Sequence, residues 1–285
     1  MPNMKCVFCK QSSVSSVTVE HIVPESLGNK EHVLAKGIVC DKCNNYFATK
    51  VEKRVLETEF FRNLRFRTGL ESKKGRVPPG NALFPKTGCK GEISFDDDSS
   101  PLAIKITVDK ETFDAILAGK IKQTYIPFNF ELPKDNQAIS RMLAKIAMEF
   151  MVQKFLHEPG YVEFMVDEEG FDPLRNYARF NHKNETWPYS VRKIYNEDEK
   201  FFKADGNSVD MVFECDFLGT ELGEIYFVIA FKGIEFALNL AGPSVEGYED
   251  WLESNNGLSP LYRQGMGFGY SLTPEFLKSN KDNPM

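Results

Sequence analysis

Two pairs of cysteines near the start of the chain constrain its fold more than any other feature. Each pair has the Cys-x-x-Cys spacing, and the members are Cys6 with Cys9 and Cys40 with Cys43. Each such turn, or knuckle, directs two thiolates to one point, and two knuckles complete the tetrahedral four-thiolate site typical of structural zinc. The spacer holds 30 residues, which is longer than the roughly 15–20 residues of simple zinc ribbons. We therefore predict a structural Zn²⁺ site whose insert carries a further function.

The insert contains an acid–histidine dipeptide, Glu20-His21, and Asn44 directly follows the last cysteine. Histidine titrates near neutral pH and accepts a proton from water, while a carboxylate binds hard divalent cations. This combination indicates a small metal-dependent hydrolase more than a bare zinc ribbon.

The charges of the chain are unevenly distributed, although its net charge is only −6. Residues 1–90 hold 16 Lys and Arg against 8 Asp and Glu, whereas the remainder holds 19 against 33. A basic first third joined to an acidic remainder is typical of a chain in which one part handles nucleic acid. No apolar run is long enough to cross a bilayer and no secretory signal is evident, so we expect a cytoplasmic protein without a membrane partner.

The chain divides by pattern into three regions, and its fold class is predicted to be α+β. Residues 1–68 form a small metal module, with a strand over 17–23, a partner strand at 38–39 and an amphipathic helix over 44–66. Residues 69–91 are basic and rich in Gly and Pro, which indicates a linker. Residues 92–285 form an acidic mixed α+β domain with an antiparallel sheet, including a helix from Asp135 to Leu156.

The first 60 residues resemble the HNH endonuclease family of the zinc-clipped ββα-metal type. The resemblance rests on three elements that occur in the family's order, and nothing after them contributes. The elements are Cys6-x-x-Cys9, then Val19-Glu20-His21-Ile22-Val23-Pro24-Glu25-Ser26-Leu27-Gly28-Asn29, and then Cys40-Asp41-Lys42-Cys43-Asn44-Asn45.

The resemblance implies a role for each matching residue. His21 matches the general base, and Glu20 matches the adjacent acid that helps to hold the catalytic metal. Asn44 matches the last residue of the signature, which binds that metal from the start of the helix. Two metals are therefore implied: a structural Zn²⁺ on the cysteines and an exchangeable catalytic Mg²⁺ or Mn²⁺ on Glu20 and Asn44.

The chain departs from the signature where the middle asparagine is expected. The stretch before the second knuckle, residues 34–39, has no Asn, and Asn29 or His32 are the candidates to replace it. Alternation along a strand also sends Glu20 and His21 to opposite faces, so both serve one site only if the strand bends there.

The predicted helix over 44–66 carries basic residues on its polar face. The candidates for contact with a nucleic-acid backbone are Lys50, Lys53, Arg54 and Arg62. A solvated helix surface is the competing interpretation of the same charges.

The favoured interpretation is a metal-dependent endonuclease acting on phosphodiester bonds, most naturally in DNA, with restriction or anti-phage defence as its setting by family analogy. The alternative is a non-catalytic zinc module that binds nucleic acid or a protein. A third interpretation makes residues 92–285 a sensor of a small activating ligand or a modified base. One active site produces nicks, so double-strand breaks would require a homodimer or two sequential events.

Overall fold

The computed structural model describes residues 4–95, 104–127, 131–181, 185–202, 206–261, 266–267 and 270–271. The chain forms two compact units. The first unit combines residues 1–23, 30–52 and 133–285, and the second combines residues 24–29 and 53–132. The first unit therefore contains both cysteine pairs together with residues 133–285, and the domain boundaries at 68 and 91 stay a prediction.

The α-helices are α1 (Asp41–Tyr46), α2 (Lys53–Leu56), α3 (Glu59–Thr68), α4 (Lys110–Leu117), α5 (Gln137–Lys154), α6 (Tyr161–Asp167), α7 (Asp172–Arg179) and α8 (Glu246–Ser254). A π-helical segment, Phe47–Glu52, joins α1 to α2, and 3₁₀ turns span Glu25–Leu27 and Glu169–Phe171. Within the described ranges, no helix combines the length and the apolar character needed to cross a membrane.

The strands are β1 (Glu20–His21), β2 (Val33–Leu34), β3 (Gly80–Phe84), β4 (Cys89–Phe95), β5 (Ile104–Thr107), β6 (Ser190–Lys193), β7 (Phe201–Phe202), β8 (Ser208–Val209), β9 (Phe213–Gly219), β10 (Ile225–Phe231), β11 (Ile234–Asn239), β12 (Met266–Gly267) and β13 (Tyr270–Ser271). They pair in four groups with the orders β1-β2, β3-β4-β5, β6-β11-β10-β9 and β12-β13-β7-β8, and each pairing is antiparallel.

The main sheet of the first unit is built around β10. Every residue of β10 from Tyr226 to Phe231 is buried, so both faces of this strand are covered. Lys232 and Gly233 join β10 to β11 in a two-residue turn, and both have positive φ values, 47° and 81°. Such a turn matches the twist of paired strands, which explains the tight hairpin.

Helix α5 lies at the centre of the first unit, where it packs against α7, the π-helical segment and β11. The side chain of Asn136 caps its first turn by accepting from the amides of Ala138 and Ile139. Thirteen of its 18 residues are buried, including the charged Lys145 and Glu149. A helix buried on all sides belongs to a core, so these two charges require internal partners.

The second unit has its own small core beneath the β3-β4-β5 sheet. Its buried residues are Phe66, Ala82, Phe84, Ile93 and Ile121. The basic segment over 69–91, which the sequence indicates as a linker, therefore contains β3 and the beginning of β4. Pro85 and Gly88 lie in the turn between these strands, whereas Gly80 and Gly91 lie within them.

The structure differs from the predicted elements of the metal module in two places. The strand expected over 17–23 is reduced to the two residues of β1, and its partner is β2 at Val33–Leu34 rather than residues 38–39. The helix expected over 44–66 is interrupted, because Thr58 leaves the helical conformation and caps α3 by accepting from the amide of Phe61. Strands of two residues are too short to show an alternation of apolar and polar residues, so the sequence does not reveal their positions.

The predicted fold class is confirmed. The molecule is α+β with antiparallel sheets, and its four N-terminal cysteines cluster in the region expected to hold a metal. The long helix expected from Asp135 to Leu156 is α5, which spans Gln137–Lys154.

Candidate active site and metal centre

The four knuckle cysteines lie together as predicted. The Sγ atoms of Cys6, Cys9, Cys40 and Cys43 are all within 4.8 Å of one another, and those of Cys9 and Cys40 are 3.7 Å apart. Tetrahedral Zn²⁺ with Zn–S bonds of about 2.3 Å holds its sulfurs roughly 3.8 Å apart. The cluster therefore fits structural zinc. Across the described ranges, it is the only grouping of three or more Cys, His, Asp or Glu arranged to hold an ion.

The surroundings of the cysteine cluster change the pKa values of Cys6 and Cys9. The amide of Cys40 donates to Cys6 Sγ at 3.3 Å. Hydrogen bonds from the Cys43 thiol and from backbone amides lower the pKa of Cys6 to about 5, so this residue favours the thiolate that binds zinc. Burial raises the pKa of Cys9 to about 11, so zinc binding must displace its proton.

Hydrogen bonds join the second knuckle to the segment just before the Glu20-His21 dipeptide. Asp41, the first residue of α1, accepts from the amides of Val17 and Thr18 at 3.1 and 3.0 Å. It also accepts from the Thr18 hydroxyl at 2.6 Å, and this bond is the main reason that the pKa of Asp41 is lowered. The sequence analysis did not single out Asp41, whose position at the start of a helix is the signal that could have identified it.

Asn44, also in α1, makes a further hydrogen bond to the segment before His21. Its Nδ2 donates to the carbonyl of Val19 at 2.8 Å. Val19 lies two residues before His21, so the start of α1 contacts the segment that carries the histidine. The amide oxygen of Asn44 is the atom that would ligate a hard cation.

His21 is half-buried in β1, opposite Val33 of β2. The amide of the next residue, Ile22, donates to the carbonyl of His32 at 3.1 Å and extends the pairing by one bond. The β1–β2 pairing that contains the proposed general base thus joins just two residues of each strand.

Glu20, the expected metal ligand, forms an ion pair with Lys145. It is only 5 % exposed, and its Oε1 lies 2.6 Å from Nζ of Lys145. The oxygen donors of Glu20 and Asn44 suit Mg²⁺ or Mn²⁺. Any ion held by Glu20 would nevertheless share its carboxylate with an ammonium group.

Lys145 is completely buried among three carboxylates. Besides Glu20 it pairs with Glu52 at 2.8 Å and with Glu149 at 3.1 Å. Burial alone would lower the pKa of Lys145, but the charges of Glu149, Glu20 and Glu52 outweigh it and raise the pKa well above its usual value. Burial raises the pKa of Glu149 above its usual value, and the charge of Lys145 opposes that shift.

Arg175 of α7 holds the first knuckle. Its Nε donates to the carbonyl of Val7, between Cys6 and Cys9, at 2.6 Å. The same guanidinium also bonds Asp172 and the carbonyl of Met165. A side chain from far along the chain therefore fixes the turn that presents two zinc ligands.

Arg179, one helical turn later, holds the second knuckle. Its Nε lies 3.2 Å from Sγ of Cys43, and its guanidinium stacks 3.7 Å from the centre of the Tyr46 ring. Arg141 of α5 donates to the hydroxyl of the same tyrosine at 2.8 Å. In the sequence, the signal for Arg175 and Arg179 is their spacing of four residues within the aromatic segment over 171–180.

The predicted nucleic-acid contacts, Lys50, Lys53, Arg54 and Arg62, differ in their surroundings. Lys50 and Arg54 are exposed, and Lys53 is exposed with a 3.7 Å ion pair to Glu57. Arg62 is half-buried, and its Nη2 donates to Asn81 at 2.7 Å. Their role in binding nucleic acid stays a prediction.

Neither candidate for the missing asparagine is a simple substitute. Asn29 is fully buried. His32 is exposed, and its Nδ1 lies 2.9 Å from the amide oxygen of Gln153. The carbonyl of His32 rather than its ring takes part in the β1 pairing.

Comparison with known proteins identifies the region that contains these residues. Residues 6–60 match the sequence model of the HNH endonuclease family. The match covers about a fifth of the chain and includes the four cysteines, Glu20, His21 and Asn44. No curated protein and no solved structure matches the chain. Over residues 6–60, the chain therefore carries a module of the HNH endonuclease family.

Proposed function

We propose that this protein is a metal-dependent endonuclease that hydrolyses phosphodiester bonds, most naturally in DNA. The observation that carries the proposal is the bond from Asn44 Nδ2 to the Val19 carbonyl. It joins the helix that begins at the second knuckle to the strand of His21, and the family match covers both. This contact supports a site to which both His21 and Asn44 contribute.

In this proposal, His21 is the general base. Its imidazole accepts the proton of the attacking water, and its usual pKa suits that task at neutral pH. The β1–β2 pairing and the Asn44–Val19 bond hold its backbone. Glu20 and Asn44 would hold Mg²⁺ or Mn²⁺, which when bound stabilises the charge on the phosphate and the leaving oxygen.

The test is cleavage by the purified full-length protein. Supercoiled plasmid and single-stranded RNA are incubated separately with Mg²⁺, Mn²⁺, Ca²⁺ or Zn²⁺, and with EDTA. We expect metal-dependent nicking of plasmid that EDTA abolishes. Loss of this cleavage in the Asn44→Ala protein would support the site, whereas no cleavage with any metal would reject the enzyme.

A non-catalytic zinc module is the alternative, because the same cysteine cluster suits a binding protein. Zinc content does not separate the two, since both predict one ion on the cysteines. A protein that binds plasmid in a mobility-shift assay with every metal, yet never nicks it, would establish the alternative.

The wider assignments belong to the same proposal. Residues 1–68 would act as the nuclease, and residues 92–285 would regulate or target it in the cytoplasm, by analogy in restriction or anti-phage defence. Cleavage restricted to modified DNA, or stimulated by a small ligand, would assign a sensing role to the acidic region. A homodimer would account for double-strand breaks, and sedimentation of the active protein tests that state.

A further inference from the structure

The ammonium group of Lys145 contacts the backbone of the proposed catalytic strand. Its Nζ lies 2.8 Å from the carbonyl of His21 and 3.1 Å from the carbonyl of Ile22. The same nitrogen lies 2.6 Å from the Glu20 carboxylate. One group on α5 therefore touches three consecutive residues at the position of the family's acid–histidine dipeptide.

The pairing of this strand with β2 is short. β1 pairs with β2 over only two residues, and the bond from the Ile22 amide to His32 adds one more. Such a short ladder cannot fix the orientation of a half-buried ring by itself. The ammonium of Lys145 adds two hydrogen bonds, because it donates to the main-chain carbonyls of His21 and Ile22.

The remaining partners of Lys145 keep the ammonium in place. An isolated charge at a fully buried position would be costly, and it persists only when its partners compensate for lost hydration. Glu52 and Glu149 provide this compensation at 2.8 and 3.1 Å without touching the strand. Glu52 and Glu149 thus stabilise the ammonium of Lys145. Lys145 in turn binds Glu20, His21 and Ile22.

We propose that Lys145 is a positioning residue for the nuclease: it fixes the strand of His21 and Glu20 in the orientation needed for hydrolysis. This inference rests on the proposed function of His21. It also makes α5, which lies outside the region matched by the family model, a working part of the active site.

The first test compares full-length Lys145→Met, Lys145→Arg and Glu52→Gln proteins in plasmid nicking. We expect Lys145→Met to lower kcat about 100-fold, because a displacement of about 1 Å in a catalytic group has an effect of that size. KM and the Mg²⁺ concentration for half-maximal rate should change much less. Lys145→Arg should recover part of kcat, since it retains the charge and the donors.

Glu52→Gln is the matched control, because it alters the same buried cluster but no contact to the strand. Glutamine keeps an oxygen that can accept from Nζ of Lys145, so this variant should retain most of kcat. If Lys145→Met does not fold, the double variant Lys145→Met with Glu52→Gln removes one carboxylate together with the ammonium and keeps the net charge of the cluster. A folded, zinc-loaded Lys145 variant with wild-type kcat would overturn the proposal.

Hydrogen exchange provides a second measurement that does not depend on catalysis. The Ile22 amide should lose protection about 10-fold in Lys145→Met relative to Glu52→Gln, because the strand is no longer held. A protein that never cleaves but shows this loss would reject the nuclease and retain the positioning contact. Unchanged protection would reject the role of Lys145 even if the enzyme is active.

Discussion

Nε of Arg179 lies 3.2 Å from Sγ of Cys43. A tetrathiolate zinc site carries a net charge of −2, so a buried guanidinium that donates to one thiolate offsets part of that charge. Hydrogen bonds to the ligands of a metal orient them and tune its affinity. A zinc ion on the four cysteines would thus be supported by a residue that lies far outside the region matched by the family model.

The first prediction is that Arg179→Met weakens zinc binding. Loss of a partner that bonds a metal ligand costs 10- to 100-fold in affinity in well-studied sites, and we expect a change of about 10-fold. The measurement is the rate of zinc transfer to a chromogenic chelator. Arg192→Met is the control, because Arg192 bonds Glu235 in the main sheet and the carbonyl of Gly257. Equal zinc release from the two variants would contradict the prediction.

The second prediction concerns the general base. His21→Ala should reduce metal-dependent nicking by at least about 100-fold, because general-base catalysis contributes about 10²–10⁴-fold to a rate. Zinc content and thermal stability should stay close to those of the wild type. His157→Ala is the matched control, since His157 is exposed and lies outside the module. Wild-type cleavage by His21→Ala would show that another group removes the proton.

The third prediction addresses whether Glu20 holds a metal or only Lys145. If Glu20 is a ligand, Glu20→Gln raises the Mg²⁺ concentration for half-maximal nicking by about 10-fold, because a charged oxygen ligand is lost. Glu149→Gln alters the same cluster without altering the proposed metal ligands and should leave that concentration unchanged. A Glu20→Gln protein with lower kcat but an unaltered Mg²⁺ requirement would show that Glu20 acts through Lys145 alone.

The cysteine spacing and the Glu20-His21 dipeptide were enough to predict the metal cluster and the family, because local sequence encodes them. The Sγ atoms of the four cysteines lie within 4.8 Å of one another, as the Cys-x-x-Cys spacing predicted. Likewise, α5 is long and strongly apolar, and its position agreed with the prediction to within two residues at each end.

The supports of the site could not be predicted in the same way. A lysine in a helix is ordinarily exposed, so nothing marks Lys145 as buried until its partners are known. One of those partners, Glu52, lies 93 residues earlier in the chain. Arg175 and Arg179 present the same difficulty, since their acceptors belong to knuckles far away in the sequence. Long-range pairings of this kind require the tertiary structure.

The last prediction links Glu214 to the pH dependence of stability. Burial raises its pKa from 4.5 to about 7, although a hydrogen bond from Tyr195 at 2.9 Å opposes the shift. A carboxyl whose pKa is raised on folding contributes stability below pH 4.5, and that contribution is lost as the pH rises towards 7. Between pH 5.5 and pH 8 the loss amounts to about 2 kcal/mol, at 1.36 kcal/mol for each pKa unit.

Glu214→Gln should remove this dependence while keeping an oxygen for Tyr195. Denaturant unfolding at both pH values should show the variant gaining about 2 kcal/mol relative to the wild type between pH 5.5 and pH 8. Acid effects on the zinc thiolates are common to both proteins and cancel in this difference. Glu221→Gln, at an exposed position in the β9–β10 turn, should show no gain because its charge is solvated. A constant difference between Glu214→Gln and the wild type would mean that Glu214 ionises in the folded protein at the same pH as in the unfolded chain.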